Sequence, residues 1–197
     1  MQLIDDALTG FCYGYLLLLL TGTLQGTLLY DGRMGDEETR EAIGFVDQED
    51  NLMGTLTVYE AVLFSAFLRL PDNMPMEEKA TRVMQVLADL RIQHVADSFI
   101  GIKGRRGISG GEKRRVVVAC ELVKVPSILF LDEPTSGLDS FNAALLVDCM
   151  RDLATRNKTN VVMTIHQPRS NVYISFDKNL VLNQVCMMEG PWPSTYD

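Results

Sequence analysis

Four polar side chains follow apolar runs in this sequence, at points where buried strands are expected to end. SILFL leads directly into Asp132 and Glu133, VVMTI leads into His166, and AIGFVD leads into Gln48. Ligands in open α/β sheets lie beyond the carboxyl ends of the strands. An acid there can hold Mg²⁺, and a neighbouring acid can orient or deprotonate an attacking water. Alternatively, the two acids form only a polar turn before Pro134, and the histidine and glutamine are structural.

A second candidate site is the stretch Ser109-Gly110-Gly111-Glu112, which opens a predicted helix. Glycines let backbone N–H groups come close to a ligand, and a helix start presents free N–H groups and a positive dipole end. A phosphate oxygen suits that position, and the Ser109 hydroxyl can donate to it. The alternative is a plain capping box, because serine and glutamate three residues apart also have that spacing.

The elements that must position these residues alternate between strands and helices. This alternation predicts an α/β fold with a mostly parallel sheet. One helix shows capping-box spacing at Thr57 and Glu60, and another shows an apolar row that includes Phe141 and Cys149. Strands are predicted at 26–32, 41–48, 125–131, 160–166 and 179–182, and helices at 57–70, 75–92, 109–124 and 140–156.

Composition limits the possible functions. The chain has 197 residues with a net charge of −8, which suits a globular domain and argues against a nucleic-acid partner. One local basic patch is still a candidate for phosphate contact. The cysteines lack metal-ligand spacing, so we expect buried free thiols. The patch comprises Lys103, Arg105, Arg106, Lys113, Arg114 and Arg115, and the cysteines are Cys12, Cys120, Cys149 and Cys186.

The leucine-rich segment 10–30 invites interpretation as a membrane span or signal peptide. Only five leucines are continuous, and threonine, glycine and glutamine interrupt the apolar residues after them. A spanning helix needs about 20 mostly apolar residues, and a signal peptide begins with basic residues, whereas this chain begins with the acidic stretch MQLIDDAL. We therefore disfavour both interpretations.

ISGGEKRR, FLDEPTSGLDS and TIHQPRS occur in the order found in the nucleotide-binding domain of ATP-binding cassette (ABC) transporters. Together with TVYEAVLFSAFLRLP they resemble the G subfamily, the White and pleiotropic drug-resistance type. The resemblance covers about residues 24–185. It implies a partial P-loop NTPase fold of the ABC-ATPase kind, with a mostly parallel sheet and a helical subdomain at about 50–124. It also implies an ATPase that couples hydrolysis to substrate export.

The resemblance assigns a role to each candidate residue. Glu133 would be the catalytic carboxylate and His166 the switch histidine, while Asp132 would hold Mg²⁺. Gln48 would link the metal and the attacking water to the transmembrane domain. Asp139 would be an acid at the subunit interface. The signature motif, which contacts ATP bound to the opposite subunit, would be Ser109, Gly110, Gly111 and Glu112.

The phosphate loop of this family, GxxxxGK[ST], does not occur in the sequence, and no lysine precedes Lys79. We therefore expect three parts: an atypical N-terminal segment, 1–25, in place of that Walker A region; a partial nucleotide-binding domain, 26–185; and an irregular tail, 186–197. Our preferred explanation is a partial or mis-spliced version of a longer transporter. Each lost charge-assisted hydrogen bond to phosphate removes roughly 1.5–3 kcal/mol, so ATP binding by the chain alone is in doubt.

Three functions follow from these observations. The first is an exporter ATPase using ATP and Mg²⁺, paired with an identical or different second nucleotide-binding domain and with a transmembrane domain absent from this chain. It would be membrane-associated at the cytoplasmic face, although the isolated chain would be soluble. The second is a non-hydrolytic fragment that supplies its signature motif to a complete partner cassette. The third is a soluble ABC ATPase, which the G-type segments disfavour.

Overall fold

The centre of the fold is a parallel three-stranded sheet. In it, β4 (Ile128–Leu131) lies between β3 (Ile43–Val46) and β5 (Asn160–Met163). This arrangement confirms the predicted α/β class. The computed structural model describes residues 29–30, 33–34, 42–102, 107–165, 175–177, 180–182 and 187–189.

The strands of this sheet end level with one another. Val46 pairs with Leu131, which in turn pairs with Met163. The middle strand is buried along its whole length, as its apolar sequence ILFL predicts for a strand covered on both faces. The residues that follow the three strands therefore emerge together at one edge of the sheet.

Two short antiparallel pairs complete the strands of the described residues. They are β1 (Leu29–Tyr30) with β2 (Arg33–Met34), and β6 (Leu180–Leu182) with β7 (Met187–Glu189). The second pair places a strand at 187–189, within the predicted irregular tail, 186–197, whose other residues lie outside the described ones. The short run CMME alternates too little to predict a strand by itself. Four residues separate β6 from β7, a length that allows a hairpin between them.

The helices begin where capping residues stand. Thr57 and Ser109 each form a complete capping box, and Asp139 caps a third helix with its carboxylate. A fourth follows Pro75 and carries acids in its first turn. The helices are α1 (Val58–Arg69), α2 (Met76–Asp89), α3 (Gly110–Leu122) and α4 (Ser140–Asn157), with a 3₁₀ turn at Gln93–Val95.

Helix α3 connects the sheet to the other helices. It packs against α1, α2, α4 and β3. Val116, Val118 and Ala119 on this helix are fully buried, and burying such a valine side chain contributes roughly 1.5–3 kcal/mol. The position of α3 is therefore fixed by packing from several sides. The first three helices fall within the predicted helical part, about 50–124, whose standing as a subdomain stays a prediction.

The predicted apolar row of α4 is partly wrong. Cys149 is buried as expected, but Phe141 is 72% exposed. The buried stripe runs through Leu146, Cys149, Met150 and Leu153, so one turn earlier it continues to Asn142 rather than to Phe141. Phe141 therefore faces solvent beside the helix start.

The prediction of buried free thiols is confirmed for Cys149, whereas Cys120 is a free thiol of intermediate exposure. Cys120 and Cys149 are free thiols, and burial raises the pKa of Cys120 to about 11. Cys12 and Cys186 lie outside the described residues, as does nearly all of the leucine-rich segment 10–30. Within the part of the chain that the structure describes, no helix combines the length and apolar character required to cross a bilayer.

Candidate functional site

The carboxyl edge of the parallel sheet gathers most of the predicted strand-end residues. Gln48 follows β3, and Asp132 and Glu133 follow β4. The backbone hydrogen bonding between β3 and β4 continues one residue beyond β4, because Asp132 N donates to Val46 O at 2.9 Å. The amide nitrogen Nε2 of Gln48 donates to Oε2 of Glu133 at 3.2 Å. Two residues 85 positions apart in the chain are thus in direct contact, as their strand-end positions predict.

Thr164 is a member of this site that the sequence reasoning missed. It is the first residue after β5, and its hydroxyl donates to Oδ1 of Asp132 at 2.6 Å. The Thr164 hydroxyl oxygen also accepts from the backbone N–H of Glu133 at 2.8 Å. The available signal was its place in the quoted segment TIHQPRS, directly after an apolar run. His166, two residues further on, lies outside the described residues, so its role stays a prediction.

Glu133 has an unusual backbone conformation. Its φ is +39°, which lies outside the regions favoured by L-residues with side chains. The turn after it is closed by a bond from Ser136 N to Glu133 O at 3.0 Å. Such conformations are strained and persist only where surrounding contacts hold them, and they concentrate at functional sites.

Arg114 connects α3 to the residues that follow β3 and to those that follow β4. Its guanidinium donates to Asp47 O at 2.6 Å, to Gln48 O at 3.1 Å and to Asp132 O at 2.9 Å. It also pairs with the Asp50 carboxylate at 3.2 Å. Because the residue is only 3% exposed, these bonds are shielded from competing water.

The buried position of Arg114 corrects the proposal of a basic surface patch. Arg115 is also 3% exposed and reaches Asn142 Oδ1 at 3.4 Å. The two arginines face inward because α3 is packed on several sides. Lys113 of the same predicted patch is partly exposed. Lys103, Arg105 and Arg106 lie outside the described residues.

The start of α3 is a capping box. Glu112 Oε2 accepts from the backbone N–H of Ser109 at 2.8 Å and from its hydroxyl at 2.7 Å. Glu112 N donates back to the Ser109 hydroxyl oxygen at 3.3 Å. Burial alone would raise the pKa of Glu112, but the bonds from Ser109 and from His94 outweigh it and leave that pKa below its ordinary value.

The two glycines at this helix start differ in their surroundings. A Cβ on Gly110 would meet nothing within 4 Å, whereas a Cβ on Gly111 would lie against the Asn142 side chain, 2.8 Å from its Cβ. Among the described residues, none accepts a hydrogen bond from either glycine N–H. Gly110 is exposed, whereas Gly111 is buried. The capping-box interpretation is confirmed, and phosphate contact at this helix start stays a prediction.

Asp139 serves as the N-cap of α4. Its carboxylate accepts from the N–H groups of Phe141 at 3.2 Å and Asn142 at 3.4 Å, and from the Asn142 side-chain amide at 2.5 Å. The side-chain bond from Asn142 is the main reason that the pKa of Asp139 is lowered. Asn142 therefore contacts the predicted interface acid and also lies beside Gly111 of α3.

The residues at the sheet edge suit a Mg²⁺ ion in the kind of atoms they offer. Asp132 keeps one carboxylate oxygen, Oδ2, that accepts no bond from any described residue. Gln48 uses its nitrogen toward Glu133, which leaves its amide oxygen as an acceptor. Carboxylate and amide oxygens are ligands that Mg²⁺ takes in proteins. Among the described residues, no three histidine, cysteine, aspartate or glutamate side chains cluster closely enough to enclose a metal by themselves.

Comparisons with known proteins identify the family of this chain. A family model described as ABC transporter matches residues 15–136, more than half of the chain. A probable ATP-dependent permease of Saccharomyces cerevisiae is 50% identical over 165 residues, which is 83% of this chain and 16% of that protein. ABC transporter G family member 21 of Arabidopsis thaliana is 46% identical over 167 residues, 85% of this chain and 25% of that protein.

Solved structures give the same fold. The cbiO1 protein of Clostridium perfringens, part of the ABC transporter complex cbiONQ, has a TM-score of 0.63 at 27% identity, covering 80% of this chain and 64% of that one. The ATP-binding cassette MJ0796, solved as a dimer in a post-hydrolysis state with ADP and Pi, has a TM-score of 0.61 at 25% identity, covering 80% and 68%. The chain spans only about a sixth to a quarter of the two curated relatives.

The chain belongs to the ABC transporter family, with G-family members among its relatives. Its fold is that of an ABC ATPase domain, and the family binds and hydrolyses ATP.

Proposed function

We propose that this chain is the ATP-binding and hydrolysing part of a G-family ABC transporter that couples hydrolysis to substrate export. One observation carries the proposal: the hydrogen bond from Gln48 to Glu133, beside Asp132, at the carboxyl edge of the parallel sheet. Three groups lie together there: Asp132, an acid that can bind a metal; Glu133, an acid that can act as a base; and the amide oxygen of Gln48. That set matches phosphoryl transfer to water, in which most of the catalysis is positioning and electrostatic stabilisation.

Each residue of the sheet edge has a proposed task. Asp132 would hold Mg²⁺ through Oδ2, with Gln48 Oε1 as a neighbouring oxygen. The ion would supply positive charge against the phosphate oxygens. Glu133 would orient an attacking water and accept its proton. Gln48 would hold the Glu133 carboxylate in place through its side-chain hydrogen bond. His166 would contact the γ-phosphate.

The start of α3 would act on a second subunit. The N–H groups of Gly110 and Gly111 donate to no described residue, and a helix start is a favourable place for phosphate. We propose that Ser109 to Glu112 face ATP held by a second nucleotide-binding domain, with Asp139 near the boundary between the two. The other partner would be a transmembrane domain, which places the working assembly at the cytoplasmic face of a membrane. We propose no nucleic-acid partner.

Calorimetry of ATP binding to the 197-residue chain tests this proposal. The titration is run with and without Mg²⁺, and Asp132→Ala serves as the variant that lacks the metal-type acid. Micromolar binding that requires Mg²⁺ and is lost in Asp132→Ala would support the proposal. Binding no tighter than millimolar under every condition would mean that these residues do not hold a nucleotide by themselves.

A second function has its own supporting observation. The sequence contains no GxxxxGK[ST]. Its predicted signature motif begins a helix that Ser109 caps, and Gly110 at that start is exposed. A chain of this kind could complete the ATP site of another cassette without holding ATP of its own. Sedimentation of the chain with a competent cassette and ATP would then show ATP-dependent association. Ser109→Arg should block that association, and Thr57→Arg, which alters the other capping box, should leave it intact.

A further inference from the structure

Thr164 occupies a position set by the sheet rather than by a loop. Its backbone N–H donates to Leu131 O at 3.0 Å, which continues the pairing of β4 and β5 by one residue. This bond places its side chain beside the two acids that follow β4. Threonine is also stiff at χ1, because its β-carbon is branched, so its hydroxyl is held in direction as well as in place.

The Thr164 hydroxyl makes two bonds of opposite sense. It donates to the Asp132 carboxylate at 2.6 Å and accepts from the Glu133 N–H at 2.8 Å. One O–H donor and two acceptor lone pairs allow both at once. The donated bond is charge-assisted, a type that is shorter and stronger than a bond between neutral groups. One side chain therefore fixes the carboxylate of one acid and the backbone of the next.

This second bond acts on a strained residue. The positive φ of Glu133 persists only with support from its surroundings, and its N–H is held by Thr164. On its other side, the Glu133 carboxylate is held by Gln48. Loss of the hydroxyl would release the Glu133 backbone and at the same time free Oδ1 of Asp132 to rotate.

We propose that Thr164 is a positioning residue for the acid pair: its hydroxyl turns Oδ2 of Asp132 toward the metal and fixes Glu133 for its role as base. The inference deepens the proposed ATPase function and rests on it for the metal. The contacts within the protein do not depend on any ligand.

Two substitutions separate the hydroxyl from the shape of the side chain. Thr164→Val keeps the branched shape and removes the hydroxyl, whereas Thr164→Ser keeps the hydroxyl. Thr164→Ala removes the same hydroxyl without placing a methyl group against the carboxylate, and it replaces the valine variant if that variant does not fold. Thermal unfolding of every variant serves as the check on global stability.

The first measurement uses the ligand-free chain. Amide hydrogen exchange at Glu133, followed by nuclear magnetic resonance, should be slow in the wild type and in Thr164→Ser. In Thr164→Val it should be faster by roughly fivefold, the effect of losing about 1 kcal/mol of hydrogen bonding. Unprotected exchange at Glu133 in the wild type, or equal rates in the wild type and Thr164→Val, would overturn the proposal.

The second measurement is the affinity for Mn²⁺ in the presence of ATP, by electron paramagnetic resonance. Thr164→Val should weaken Mn²⁺ binding by roughly 10-fold or more, the usual effect of one charge-assisted bond, with Thr164→Ser within about 3-fold of the wild type. ATP affinity without metal should not change. Normal Mn²⁺ affinity in Thr164→Val would overturn the proposal. If the wild-type chain binds no Mn²⁺ with ATP, the proposed nucleotide function fails for this chain, and Glu133 exchange alone decides the role of Thr164.

Discussion

Helices α1 and α3 begin with the same local device but face different surroundings. In α1, Thr57 N donates to Glu60 Oε2 at 2.8 Å, and Glu60 N donates to the threonine hydroxyl at 3.2 Å. The box of α3 has the same pair of bonds, at 2.8 and 3.3 Å. Local geometry therefore does not distinguish a structural helix start from a functional one.

The next two residues make the distinction. In α1 they are Val58 and Tyr59, whose N–H groups donate to Ser98 O at 3.0 Å and Ala96 O at 2.9 Å. In α3 they are Gly110 and Gly111, which donate to no described residue. One helix start is closed by protein carbonyls, whereas the other begins with an exposed glycine, Gly110, that carries no side chain to block an approaching group.

Hydrogen exchange should show the largest difference between the two helix starts. After correction for intrinsic rates, the amides of Val58 and Tyr59 should exchange roughly a thousandfold more slowly than that of Gly110. Opening the first pair requires breaking packed structure, whereas Gly110 is exposed and its N–H donates to no described residue. Equal protection at both helix starts, measured by nuclear magnetic resonance, would break the comparison.

Alanine substitutions should separate the roles of the two glycines. Gly111→Ala places a Cβ against Asn142 and should destabilise the fold by about 1–3 kcal/mol, the usual range for overpacking. Gly110→Ala meets nothing within 4 Å and should change the free energy of unfolding by no more than about 1 kcal/mol, in either direction. Urea unfolding of the two variants measures both values. A larger loss in Gly110→Ala than in Gly111→Ala would contradict this packing.

The same contrast explains what the sequence could predict. Asp132, Glu133 and Gln48 were predictable because each follows an apolar strand, and parallel strands end at a shared edge. The capping boxes were predictable because they depend on residues three apart. Both signals lie within a few positions of the residues concerned.

Contacts between distant elements were not predictable in this way. Thr164 and Arg114 look like ordinary polar residues until the sheet register and the burial of α3 bring them to the acids. Phe141 was assigned to the wrong face because a helical stripe shifted by one residue fits almost as well, and the contact of Asn142 with Gly111 decides between the two. These outcomes depend on packing, which periodicity alone does not specify.

Removing the cap hydroxyls should have nearly equal effects on stability. Ser109→Ala and Thr57→Ala should each lower the free energy of unfolding by about 1 kcal/mol, because each deletes one acceptor for a helix N–H. Only Ser109→Ala should also weaken ATP-dependent association with a competent cassette. Parallel urea titrations and sedimentation test the pair. Weakened association in Thr57→Ala would mean that the closed helix start also contributes to the interface.

The smallest expected effect is the pH dependence at the open helix start. The pKa of Glu112 in the folded chain lies below its ordinary value of 4.5, because bonds from Ser109 and His94 outweigh the effect of burial. The ionised carboxylate therefore stabilises the fold fully above pH 4.5, and this contribution is lost as the pH falls through the folded pKa. Glu112→Gln should be less stable than the wild type at neutral pH, and the deficit should shrink on acidification.

Glu60→Gln in α1 should show the same sign, because Thr57 lowers the pKa of Glu60 in the same way. A Glu112→Gln deficit that stays constant in urea unfolding from neutral to acidic pH would mean that the carboxylate acts through its shape rather than its charge.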